Sequence, residues 1–167
     1  FGRRATYDAS LAKEAAFVFK NQSADPAARR PTKLLWTRED DMQGGYYRPI
    51  ATHRLSGAMS PDGKIIAWDP TIAAQSFMLG TPFEARIKNG VDYTAVEGAS
   101  DLPYATENIR VTNHLITTGV PTLWWRSVGH THPRLAVDTF LHELPAGVGS
   151  APADGQAAAL ADPPRRA

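Results

Sequence analysis

Near the start of the chain, Leu11, Ala12, Ala15, Ala16 and Phe19 recur at helical spacing, with Asp8 or Ser10 placed to cap the run. That predicts a helix ending near Lys20, because "NQSADPAARRP" beyond it is polar and broken by proline, as a surface loop is. The apolar pattern then shortens. "TKLLW", Thr32 to Trp36, reads as a short buried strand running into the charged turn "TREDDM". Around "SPDG", Ser60 to Gly63, two strands are expected to form a hairpin: Pro61 presets one turn dihedral and Gly63 accepts a positive φ. The second arm, "KIIAWDPTI", is rich in β-formers.

From Leu79 to Ser100 no period holds, so an irregular stretch is expected. "NIRVTNHLITT" alternates Ile109, Val111 and Leu115 with polar neighbours, the pattern of a half-buried strand. A second helix should start at Thr131 or His132 with Pro133 in its first turn. Val137, Phe140, Leu141 and Leu144 form its apolar face, and Pro145 is expected to stop it. The order helix, strands, strands, helix predicts an α+β class, a mixed or antiparallel sheet with packed helices. Residues 1–146 carry this pattern. From Gly147 to residue 167 the chain is Ala, Gly and Pro without an aromatic, and no packed structure is expected there.

Composition narrows the function. A chain of 167 residues, 43% hydrophobic, can build one core, as a single domain or as a piece of a larger one. A net charge of +1 argues against a general nucleic-acid binder, which needs a basic stripe or patch. With no cysteine, the chain holds neither disulfides nor thiolate zinc nor its own iron–sulfur cluster. No apolar run approaches the roughly 20 residues of a membrane span. The opening "FGRR" reads as an interior loop cut open, so a fragment is expected.

Four stretches carry candidate chemistry. Three consecutive acids in "TREDDM" are the oxygen ligands a hard cation wants, but alternate residues diverge and the Gly of a calcium loop is missing; a solvated turn is the simpler reading. His130 and His132 share a face if the chain there is extended, yet no third ligand stands at suitable spacing. Helix-capping or loop histidines explain them better than a His-dependent metal site. Arg126 follows two tryptophans and precedes a turn of small residues, which suits a guanidinium emerging from a semi-buried wall. There it can hold a carboxylate, a phosphate or a developing oxyanion, or stack structurally on Trp124 or Trp125. Phe1 and Gly2 in "FGRR" would let backbone N–H groups approach a ligand, with two arginines beside them; a basic chain end is the plainer alternative. Neither a serine nor a cysteine nucleophile setting nor a phosphate-binding loop is present.

In order, "FGRR" (1–4), "LLWTREDDMQGGYYRP" (34–49), "VEGASDLPYATENIRV" (96–111), "TTGVP" (117–121), "WRSVG" (125–129) and "VDTFLHEL" (137–144) carry a likeness that no single block carries. Together they resemble the molybdenum-binding large subunit of the xanthine dehydrogenase and aldehyde oxidase family, nearest to the isoquinoline 1-oxidoreductase β-subunit type. The resemblance implies a partial molybdopterin-binding domain over residues 1–146. It also implies a molybdenum–molybdopterin cofactor, of the cytosine dinucleotide form, held through its pterin and not by side chains on the metal. Arg126 would face the substrate as the catalytic residue, and Phe1, Gly2, Arg126, Ser127 and Gly129 would border the cofactor. The intact enzyme would oxidise an aldehyde or N-heteroaromatic substrate with oxygen from water. Its partners would be a small iron–sulfur subunit and the rest of the large subunit.

Three departures qualify those implications. Ala5 stands where xanthine dehydrogenases carry a glutamate, so a purine substrate is not expected; Asp138 stands where relatives often have Glu; and the family's general-base glutamate has no counterpart. The chain alone is therefore expected to be inactive. A non-catalytic remnant or binding module on the same scaffold is the alternative reading.

Overall fold

The computed structural model of the chain describes residues 9–102, 104 and 106–147. The fold is α+β, three α-helices with a four-stranded mixed sheet. Its centre is a hairpin of β1 (Ala51–Met59) and β2 (Ile65–Gln75), antiparallel, with Ala51 opposite Ala74 and Gly57 opposite Trp68. The turn forms where expected. Ser60 N–H donates to the Lys64 carbonyl at 2.9 Å, Gly63 N–H returns to the Ser60 carbonyl at 3.0 Å, and Gly63 takes φ 85°.

On its other edge β2 pairs in parallel with β3 (Asn108–Ile109) and β4 (Thr112–Ile116). These are the expected strand, interrupted. The register runs through the break unchanged, Trp68 facing Ile109 and Thr71 facing Thr112. The gap lies opposite Pro70, which has no N–H to give a ladder. Arg110 bridges it by donating its backbone N–H to the Trp68 carbonyl at 3.0 Å and its Nε to the Asp69 carboxylate at 3.0 Å.

Alternation sorts the two faces. Trp68, Pro70, Ile72 and Ala74 of β2 are buried, and Ala51, His53 and Leu55 of β1 lie half-buried on the same side. The helix α3 (Thr131–Gly147) covers that side with Val137 and Leu141, both almost fully buried. Each such side chain contributes roughly 1.5–3 kcal/mol. Phe140 packs on Trp68 with ring centroids 5.5 Å apart. Gly57 makes room for this helix: a Cβ there would lie 3.2 Å from the Phe140 ring and 3.3 Å from Leu144. The irregular stretch after Leu79 closes the core with Ala95, the end of a 3-10 turn, and with Val96, Ala99, Leu102 and Tyr104 beyond it.

The N-terminal elements differ from expectation. The helix α1 (Ser10–Asn21) forms, but Ala9 sits at its N-cap without a side-chain bond, and Asp8 lies outside the described residues. None of its residues is buried. Thr32 to Trp36 is not a strand, since no edge is offered to it, and Leu35 is 78% exposed. "TREDDM" is not a turn but the start of helix α2 (Arg38–Gly44). Thr37 and Asp40 form a reciprocal capping box that satisfies two N–H groups, and those bonds hold the Asp40 carboxyl below its usual range. At the other end α3 passes through Pro145 to Gly147; a proline this late removes only a bond of the last turn. The Ala/Pro-rich stretch from residue 148 lies outside the described residues.

Candidate functional site

The segment "WRSVG" is a loop bound from two sides by other blocks of the sequence. On one side Tyr47 donates its N–H to the Pro121 carbonyl at 3.0 Å and accepts from Leu123 N–H at 3.2 Å. That bridge delivers Arg48. Its guanidinium donates to the Arg126 backbone carbonyl at 3.1 Å and to Thr131 Oγ1 at 2.9 Å, and lies 5.9 Å from the Trp125 ring centroid. On the other side Gly129 N–H donates to the Glu97 carboxylate at 3.1 Å. Gly129 rests so closely on the backbone that a Cβ would stand 1.8 Å from the Thr94 carbonyl oxygen.

Between these clamps the chain turns sharply. Ser127 and Val128 have φ of 71° and 42°, a left-handed pair that costs a β-branched residue most. Local bonds hold the turn: Val128 N–H to the Trp125 carbonyl at 3.0 Å and His130 N–H to the Ser127 carbonyl at 2.9 Å. Trp124, just before, is fixed by Phe77 stacked at 5.8 Å and Phe83 edge-on at 5.5 Å. The tip of the loop is therefore rigid at both ends.

Of the expected site residues, Arg126 and Ser127 stand exposed at that tip. The Arg126 guanidinium has no ion pair or hydrogen bond among the described residues. Gly129 is buried and its N–H is spent on Glu97, so it shapes the loop and does not offer an amide outward. Phe1 and Gly2 lie outside the described residues. Beside the loop, where β2 and β4 end, a cleft of about 310 Å³ opens between Tyr46, Gln75, Phe77, Thr117, Val120 and Thr122; its lining includes no charged side chain.

The histidines do not converge as a 130/132 pair. His130 ends a 3-10 turn, exposed, with Nε2 3.9 Å from the Asp101 carboxylate. His132 lies in the first turn of α3 and points at β1, where its Nδ1 meets His53 Nε2 at 3.0 Å. Burial lowers the basicity of both imidazoles; with His53 beside it, His132 falls to about 4. The pairing escaped the sequence reading, although His53 alternates with Ala51 and Leu55 on the core side of a strand. Among the described residues no three His, Asp or Glu side chains group as metal ligands. No described helix is long and apolar enough to cross a membrane.

No protein-family model matches the chain, and no curated protein matches it.

Proposed function

We propose that the chain is part of the large subunit of a molybdenum hydroxylase, acting on an aldehyde or N-heteroaromatic substrate, with Arg126 as its substrate-facing residue. The observation that carries this reading is the state of Arg126: an exposed guanidinium without a carboxylate among the described residues, on a strained loop clamped by Arg48 and Glu97. An arginine held in place yet left unneutralised is suited to a ligand's negative charge.

Two of the residues at this loop support a molybdopterin there. Its phosphate, pterin and oxo atoms are acceptors, and Arg126 and Ser127 present donors at the exposed tip. When bound, the cofactor would supply oxygen transfer and two-electron oxidation. The chain's own part is to orient the substrate through the Arg126 fork and to stabilise negative charge developing on it. The Trp124 cage and Arg48 fix the main chain from which that fork extends.

Large apolar side chains of the N-terminal elements also stand exposed. Phe17, Leu35 and Met42 are 69%, 78% and 66% exposed, which supports the rest of the large subunit and an iron–sulfur subunit as partners. The same surface favours the second reading, an interaction module on this scaffold without the chemistry.

The decisive experiment is molybdenum and pterin analysis of the full-length protein with its partner, together with Arg126→Lys and Arg126→Ala. Stoichiometric cofactor is expected in the wild-type protein, and the activity of each variant is taken per bound molybdenum. Both variants should lose about 10²-fold or more in kcat/KM. Absent molybdenum, or an Arg126→Ala protein of unchanged activity, would overturn the proposal, as would turnover by the isolated chain.

A further inference from the structure

The His53–His132 contact joins β1 to α3 and has an unusual hydrogen-bond balance. The rings lie 5.1 Å apart, tilted by 44°, and share one bond between His53 Nε2 and His132 Nδ1. The outward nitrogens, His53 Nδ1 and His132 Nε2, are buried and have no partner among the described residues. In either tautomer of the neutral pair, one of these is a donor without an acceptor and the other an acceptor without a donor. A first proton makes both of them donors and adds a charge with no paired counter-ion among the described residues; a second removes the acceptor of the shared bond, so that both facing nitrogens carry N–H.

The surrounding charges do not relieve this. On α3, Asp138 Oδ2 accepts from Arg134 Nε at 2.9 Å, while its Oδ1 is buried without a hydrogen bond among the described residues. From the 46–48 segment comes a cation, Arg48, anchored on neighbouring Thr131. From the 97–101 segment, Glu97 is held by Gly129 N–H and Asp101 lies beside His130 and Gly98 N–H. On β2 the residue opposite His53 is Ile72, which is uncharged. Thus no carboxylate among the described residues is paired with either imidazole.

Thr131 carries the consequence outward. Its Oγ1 donates to the Arg126 carbonyl at 3.3 Å and accepts from Arg48 at 2.9 Å, one residue before His132. We propose that the two imidazoles are a pH-operated latch: neutral, they close the first turn of α3 on β1, and when both are protonated they part, releasing the Arg126 loop from its Thr131 anchor. The latch is a property of this chain's fold and stands apart from any reading of the loop's chemistry.

The test is an NMR titration of the 167-residue chain from pH 7.5 to about 2.5, following the histidine Cε1–H signals and the backbone amides of residues 126–132. The expected result is an imidazole titrating near pH 4, with the amides of Val128 and Thr131 moving at the same midpoint. His130→Gln, which removes the exposed neighbouring imidazole, should leave that midpoint unchanged. His132→Gln, which keeps a neutral hydrogen-bonding group, should abolish the amide response. Imidazoles that titrate near 6.5 with a silent loop would overturn the latch. A loop response that follows His130, or one that survives in His132→Gln, would overturn it as well. Should His132→Gln fail to fold, the wild-type and His130→Gln titrations decide the matter.

Discussion

Arg48 donates to the backbone carbonyl of Arg126 at 3.1 Å, one arginine fixing the main chain of another 78 residues away. The same guanidinium reaches Thr131 at 2.9 Å, so a single exposed side chain ties the "YYRP" block to both ends of the Arg126 loop. Exposed hydrogen bonds of this kind contribute about 1 kcal/mol. Arg48→Ala should therefore speed amide exchange over residues 126–131 by roughly fivefold, with little change in global stability. Arg48→Lys should recover only part of the protection, since an ammonium lacks the planar fork. Unchanged exchange in Arg48→Ala would show that the loop is held without it.

Gly129 and Gly63 make a contrast between space and conformation. At Gly129 a methyl would sit 1.8 Å from the Thr94 carbonyl oxygen and 2.7 Å from its carbon, and backbone cannot step aside cheaply. At Gly63 nothing lies within 4 Å, but φ is 85°. Gly63→Ala should cost about 1 kcal/mol, the left-handed penalty alone. Gly129→Ala should cost above about 3 kcal/mol, or leave no folded chain, in urea unfolding. Equal costs would mean that the loop does not pack on the 94–97 segment.

Asp92 is fully buried, and its carboxyl is held by hydrogen bonds, with no ion pair among the described residues. Oδ1 accepts from Thr94 N–H at 2.8 Å and from its hydroxyl at 2.6 Å, while Ser76 Oγ donates to Oδ2. Ser76 in turn accepts from the N–H groups of Met78 and Leu79, both at 2.9 Å. Asp92→Asn sets an amide N–H₂ against a donor, and Ser76→Ala strands two backbone N–H groups. Each should cost about 2–3 kcal/mol. Because both break one network, the double variant should lose at least 1 kcal/mol less than the sum. Additive losses in a denaturation cycle would refute the coupling.

Where local pattern and burial agree, the sequence was legible. The hairpin followed from "SPDG" between β-formers, and the α3 face from Val137, Phe140, Leu141 and Leu144, because these elements pack on the core their patterns imply. "TKLLW" misled for the opposite reason: its apolar residues meet no sheet edge, so composition alone could not make a strand. In "TREDDM" the capping signal was present as Thr37 and Asp40 three apart, but consecutive acids drew attention to charge and away from the cap. At the site, Arg126 was legible as an exposed arginine behind aromatics. Its clamps were not, since Arg48 and Glu97 lie 78 and 32 residues from their partners and no local period records such contacts. His53 with His132, 79 residues apart, is the same case.

Those two imidazoles also set an acid limit on stability. Burial, and His53 beside it, lower His132 from 6.5 to about 4, so the unfolded chain binds the proton more tightly than the folded one. The stabilisation is then complete above pH 6.5 and is lost as pH falls through about 4. Part of the ring remains near solvent, which screens the effect, and a loss on the order of 1–2 kcal/mol is expected across that window. His53 acts in the same direction, its basicity lowered by burial. The carboxyls of Asp40, Asp62 and Asp69, held below 3.8 by their hydrogen-bonding partners, add acid sensitivity mainly beneath this window. Urea unfolding of wild type at pH 7 and pH 4.5 should show the drop. His132→Gln, less stable at neutral pH, should lose less over the same interval. A His132→Gln protein with the full wild-type slope would mean that other groups set the acid response.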